Sequence, residues 1–346
     1  MILTRILILP LVFIMPLLYA QGQQIADTTL HRMIRHGIDL SGQQRYSAAQ
    51  KTFERAITAF PTHPAGYLNK AILLQVMSLD FETPVAMPEY LRLLEKVEAI
   101  GERMVEQSGH DAEGRYYIGM ARSYIAYYHF RDGKNWLSGL SHGLDASSEL
   151  EECLELNSKA YDAMTGVGTY RYWKSNNMSF LTWTPLVDDN RHAGIKMLRL
   201  AEAKAQYSAQ QATNALIWIF IEEERWKDAV RSARQILRRY PKNRLFLWGL
   251  ASAAEGMEDW ATARSAYQRI VASIDGEVKD RRYIEIQARA KIALMHYRLG
   301  DHDAARTEAS WVKKQKKRSL GGLTSDALDR IERRFEEIDD LWSDLH

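Results

Sequence analysis

One recurrence constrains this chain more than any other feature. Ala229, Ala233, Ile236 and Pro241 are followed 34 residues later by Ala263, Tyr267, Ile270 and a turn, and Ala49, Phe53, Ala56 and Pro61 repeat the same offsets near the start. Apolar residues three and four apart share one face of a helix. Small residues at fixed places let two helices cross closely, larger ones wedge against the next pair, and proline stops the second helix before the chain reverses. A hairpin of this kind cannot bury its apolar face alone, so copies must stack. The expectation is an all-α fold without strands.

The register places a first unit at about 30–63 and the last three at about 210–243, 244–277 and 286–319, the third carrying Gly300, Asp301, Ala305, Ala309 and Val312. Residues 64–205 read as helical but fit the period poorly. Helices are expected over 65–77, up to about Gln107, over the tyrosine-rich 112–130, from Trp136 to about Cys153, and over 189–205 and 207–222. A last amphipathic helix starts at Ser325 or Asp326, with Leu328, Ile331, Phe335, Ile338 and Leu341 on one side, as the open end of a stack requires. The expected division is 1–20 leader, 21–205 hairpins with irregular insertions, 206–319 regular array and 320–346 capping helix.

Arg5, an apolar run from Ile6 to Leu18 and Ala20 before a polar stretch have the order of a secretory signal peptide. An uncleaved anchor is the alternative, disfavoured by the shortness of the run and by Pro10 and Pro16. An exported chain with the single cysteine Cys153 closes no internal disulfide. With 46 Lys plus Arg against 44 Asp plus Glu, overall charge gives no reason to expect nucleic acid.

These offsets resemble the tetratricopeptide repeat family. Ala49, Ala229, Ala263 and Ala305 stand at its close crossing, Phe220 and Tyr267 at its larger positions and Pro241 at its helix end. Thr213, Leu247 and Arg289 depart from it, standing where its first helices usually carry an aromatic. The resemblance implies an alpha-alpha superhelix of helical hairpins whose concave groove binds a protein or peptide.

The densest unusual segment, 161–194, combines Tyr170, Trp173, Phe180, Trp183 and Pro185 with Asp188, Asp189 and Arg191. Rings supply rigid contact area and charges fix direction, so Tyr170, Trp173, Asp189 and Arg191 are the candidate partner-binding residues. The competing reading is a bulky loop plugging a seam, with Asp188 or Asp189 capping the helix beside Gly194. Asp301, His302 and Asp303 lie at an inter-helix turn and lack a second cluster that would complete a metal shell. No motif selects a nucleophile, and no cofactor is expected. Lys313, Lys314, Lys316, Lys317 and Arg318 form one basic run at a helix end, suited to solvent or to an anionic lipid surface. The leading expectation is an exported, periplasmic scaffold binding another envelope protein or peptide through its groove, with membrane association left open. A glycan or peptidoglycan module is the alternative, and an enzyme with its site in the irregular middle comes third.

Overall fold

The computed structural model describes residues 25–107, 109–131, 135–177, 189–274, 281–316 and 320–346. The leader, together with Phe180, Trp183, Pro185, Asp188, Lys317 and Arg318, lies outside the described residues. All regular structure among them is helical, in seven hairpins and a last helix. The hairpins are α1 (Thr28–Gly42) with α2 (Tyr46–Ala59), α3 (Ala65–Phe81) with α4 (Met87–Val105), α5 (Asp111–Arg131) with α6 (Trp136–Leu156), and α7 (Ala163–Asn177) with α8 (Arg191–Lys204). Then follow α9 (Ala209–Glu222) with α10 (Trp226–Leu237), α11 (Arg244–Gly256) with α12 (Trp260–Ala272), α13 (Arg281–Arg298) with α14 (His302–Gln315), and α15 (Ser325–Asp344). Each helix packs on the next in sequence.

The recurrence has a local cause. In four hairpins the turn closes on the same hydrogen bond, from the amides of Arg45, Arg225, Asp259 and Asp301 to the carbonyls of Leu40, Phe220, Ala254 and His296. The residue before each donor is left-handed: Gln44 at φ 60, Glu224 at 54, Glu258 at 57 and Gly300 at 79. One such residue reverses the chain tightly enough to bring the two helices into contact. Asp259 and Asp301 then accept from the amides of Thr262 and Ala304, capping α12 and α14. The crossing alanines Ala49, Ala229, Ala263 and Ala305 are all fully buried.

Residues 163–177, in the segment for which a bulky loop was the competing reading, form the helix α7. Thr165, Gly166, Gly168 and Thr169 weaken its helical signal, and packing supplies what propensity lacks. A Cβ on Gly168 would stand 2.8 Å from the carbonyl oxygen of Gly194 on α8, and one on Gly194 would stand 2.6 Å from that of Gly168. The two backbones touch where another hairpin would place alanine. Gly101 and Gly114 do the same between α4 and α5, so the alanine register fades in the middle although the hairpins continue.

α15 covers the last apolar face with Ala327, Ile331, Phe335, Ile338 and Leu341. Cys153 is fully buried, and burial pushes its thiol up to about 12. Among the described residues no helix is long and apolar enough to cross a membrane.

Candidate functional site

First helices of successive hairpins touch one another, α1 with α3, α3 with α5, α5 with α7, α7 with α9 and α9 with α11. Elements on the inside of a curve are crowded, so these helices line the inner face. The curl is tight enough that α3 also reaches α11. A partner groove was the expectation for this face; across it the ends of α1 and α3 meet the α10–α11 turn and the start of α11.

The seating is polar and specific. Asp80 at the end of α3 receives Nε of Arg244 at 2.8 Å and a second guanidinium nitrogen, with Gln44 at 3.0 Å and the Tyr46 hydroxyl at 2.9 Å on the same carboxylate. The side chains of this pair are 1 % and 3 % exposed. Burying both charges is tolerable because their hydrogen-bonding capacity is satisfied together. Burial and the neighbouring Asp80 raise the Tyr46 hydroxyl well above its ordinary value, keeping it a donor. At the end of α1, Asp39 accepts from Arg239 and from the Tyr240 hydroxyl, each at 3.0 Å, and the Gly42 carbonyl accepts from Asn243 at 2.8 Å. Glu82 pairs with Arg330 of α15 at 2.7 Å, while its carbonyl accepts from the Thr324 amide at 2.9 Å. Desolvation raises the Glu82 carboxyl above its usual range, against the pull of Arg330 and Arg131.

Deeper in, Ile34, Leu68, Tyr116, Tyr117 and Tyr207 leave a cavity of only about 10 Å³. Asp162, just before α7, accepts from the amides of Gln206, Tyr207 and Ser208 and so holds the start of α9. A larger cleft of about 710 Å³ opens elsewhere, between α2, α3 and α4, with Ile57, Tyr67 and Leu93 among its lining and Lys70, Arg92 and Lys96 beside them. The longer connection through Pro84, before the Pro88 start of α4, separates those helices.

The four sequence-selected residues all belong to the α7–α8 hairpin. Tyr170 is half-buried beside Gly143 of α6, Lys174 lies 5.7 Å from its ring centre, and burial pushes its hydroxyl up to about 12. Trp173 packs edge-on against the fully buried Tyr172, in the cluster formed with α8 and α9. Asp189 and Arg191 pair with each other at 2.6 Å, and that partner holds the Asp189 carboxyl down to about 2. The structure therefore joins Asp189 to Arg191 and turns Tyr170 and Trp173 toward different neighbours. In the basic run, Lys313 and Lys316 both reach Asp339 of α15 at 2.8 Å, and Lys313 lies over the Trp342 ring. The Asp301 carboxylate lies 3.1 Å from Nδ1 of His296 within its turn. Among the described residues no group of three or more His, Cys, Asp or Glu is placed to hold a metal ion.

Residues 214–277 match the Tetratricopeptide repeat family. That segment is tetratricopeptide repeat. Solved structures similar to it include a thermophilic tetratricopeptide protein of Thermus thermophilus, at 18 % identity over 65 % of this chain and 99 % of that one, with a TM-score of 0.40. A tetratricopeptide repeat protein from Parabacteroides merdae is 12 % identical over 90 % of this chain and 99 % of that one, TM-score 0.38. A monomeric IFIT1 mutant solved with Gppp-AAAA is 16 % identical over 86 % and 67 %, TM-score 0.46. No curated protein matches the chain.

Sequence reasoning missed the residues that join the ends of α1 and α3 to the α10–α11 segment and α15. Asp80 and Arg244 are 164 positions apart, so no spacing rule links them. The one local signal is a carboxylate closing the mostly apolar stretch from Leu73 to Leu79.

Proposed function

We propose that this protein is an exported scaffold that holds another cell-envelope protein or peptide and carries out no chemistry itself. The observation that carries this reading is the repeat array itself, which presents side chains on stacked helices whose ordering cost is met during folding. The leader-like order of residues 1–20 supports export. The partner contacts the edge formed by α7 and α8, where Tyr170, Trp173, Asp189 and Arg191 lie on one hairpin and the Asp189–Arg191 pair is partly open to solvent.

Crosslinking in intact source cells, followed by mass spectrometry, tests this. One discrete envelope protein, captured by the native chain and lost when Asp189→Ala is combined with Arg191→Ala, is the expected result. Capture of no envelope protein overturns the reading, and capture unaffected by the variant removes the α7–α8 edge from it.

A further inference from the structure

The cleft between α2, α3 and α4 has two unlike walls. Ile57, Tyr67 and Leu93 line it as buried or half-buried side chains, and Ala99 stands exposed beside them. Lys70 of α3, only 12 % exposed, is already engaged there: Glu54 of α2 meets its ammonium at 3.0 Å and Glu89 of α4 at 2.8 Å. Gln50 donates to the same Glu54 oxygen at 3.0 Å, and these bonds hold the Glu54 carboxyl below its ordinary value. The α4 wall is different. Arg92, Lys96 and Ala99 lie on one exposed flank of that helix, and the side chains of Arg92 and Lys96 make no ion pair or hydrogen bond with a described residue. A spacing of four sets the two cations one above the other on the same face. Glu95, the other acid of the lining, stands nearly opposite the buried Val97 on the helix and so forms the outer lip.

We propose that this cleft binds an amphiphilic anion, an aliphatic chain ending in a carboxylate, with the carboxylate on Arg92 and Lys96 and the chain against Ile57, Tyr67, Leu93 and Ala99. Charge selects the end group. Glu54 and Glu89 are matched by Lys70, which leaves one guanidinium and one ammonium on the α4 wall for an incoming anion. Charge-assisted hydrogen bonds from such donors are roughly twice as strong as neutral ones. Volume selects the rest. A cleft of about 710 Å³ falls within the range of about 300–1,000 Å³ that small-ligand clefts span. A helix about 10–12 Å across, rising about 1.5 Å per residue, takes about 120–170 Å³ for each residue, so the cleft has room for about four to six residues of one. That is under two turns, whereas an extended chain fills the cleft along its length. The site shares no residue with the α7–α8 edge and stands independently of the scaffold reading.

The test is isothermal titration calorimetry of the purified full chain with dodecanoate below its micelle concentration, with dodecyltrimethylammonium and acetate as comparison probes. One saturable site for dodecanoate is expected, with roughly tenfold or more weaker binding of both comparison probes. Arg92→Gln combined with Lys96→Gln weakens dodecanoate binding by roughly tenfold or more. Arg238→Gln combined with Lys242→Gln, the same change of charge at the exposed α10–α11 turn, leaves it unaltered. Should the first pair change the far-ultraviolet circular dichroism, Ala99→Glu, which sets a carboxylate on the same exposed flank as the two cations, is held to the same loss. Absence of a saturable site overturns the proposal, as does equal affinity for either comparison probe, or a loss no greater than that of the control pair. So does binding of a synthetic acidic amphipathic peptide in place of dodecanoate, or self-association that the Arg92→Gln Lys96→Gln variant abolishes, because the occupant is then a protein segment.

Discussion

Gly168 and Asp259 show how single positions decide hairpin geometry. A methyl group on Gly168 meets the Gly194 carbonyl oxygen at 2.8 Å, and backbone cannot swing aside as a flexible side chain does. Gly168→Ala therefore separates α7 from α8 and costs about 1–3 kcal/mol, measured by urea unfolding. Asp259 caps α12, and its hydrogen bonds with Thr262 hold its carboxyl below the ordinary value. A carboxyl whose folded value is depressed contributes stability that is complete above its unfolded value, about 3.9, and is lost as pH falls through the folded value. Asp259→Ala accordingly costs about 1 kcal/mol at pH 7. The gap between variant and native chain, followed by thermal melting, closes as pH falls below that range.

At the scale of elements, the Asp80–Arg244 pair joins α3 to α11. Arg244→Ala leaves a carboxylate in a site 1 % exposed, and chemical denaturation should record a loss of about 3–5 kcal/mol. Replacing both partners together, as Asp80→Leu with Arg244→Met, should recover most of that loss, because no charge then remains buried. Recovery separates desolvation from a loss of shape. The same scale explains what the sequence reveals of each helix. α10 and α12 are legible because Ala229, Ala233 and Ala263 carry the crossing on one periodic face. α7 is obscured because its crossing uses glycine, which reads locally as a turn and becomes helical only against Gly194.

For the whole molecule, a stack in which each hairpin touches only its neighbours unfolds piecemeal from its ends. Here α3 meets α11 and Glu82 meets α15, so the second hairpin is tied to the sixth and to the last helix. Urea unfolding of the native chain should give one transition by tryptophan fluorescence and by far-ultraviolet circular dichroism. In the Asp39→Asn Asp80→Asn Glu82→Gln variant the two probes should separate, the N-terminal helices melting first. Coincident transitions in the variant would show that neighbour contacts alone carry the cooperativity.

The sequence by itself determined the regular hairpins, the repeat period and the amphipathic last helix, because each arises from residues a few positions apart acting through helix periodicity, turn conformation and capping. It also marked Asp189 and Arg191, whose mutual pairing is local. Only the tertiary structure decided that α1 and α3 meet the α10–α11 segment across the curl. The cause lies in small rotations between hairpins, which add up along the stack until residues such as Asp80 and Arg244, 164 positions apart, share a hydrogen bond at 2.8 Å. No local pattern encodes that sum. Tyr170 meets α6 and Trp173 meets α8 and α9 because α7 packs against all three, although the two stand three positions apart on one helix.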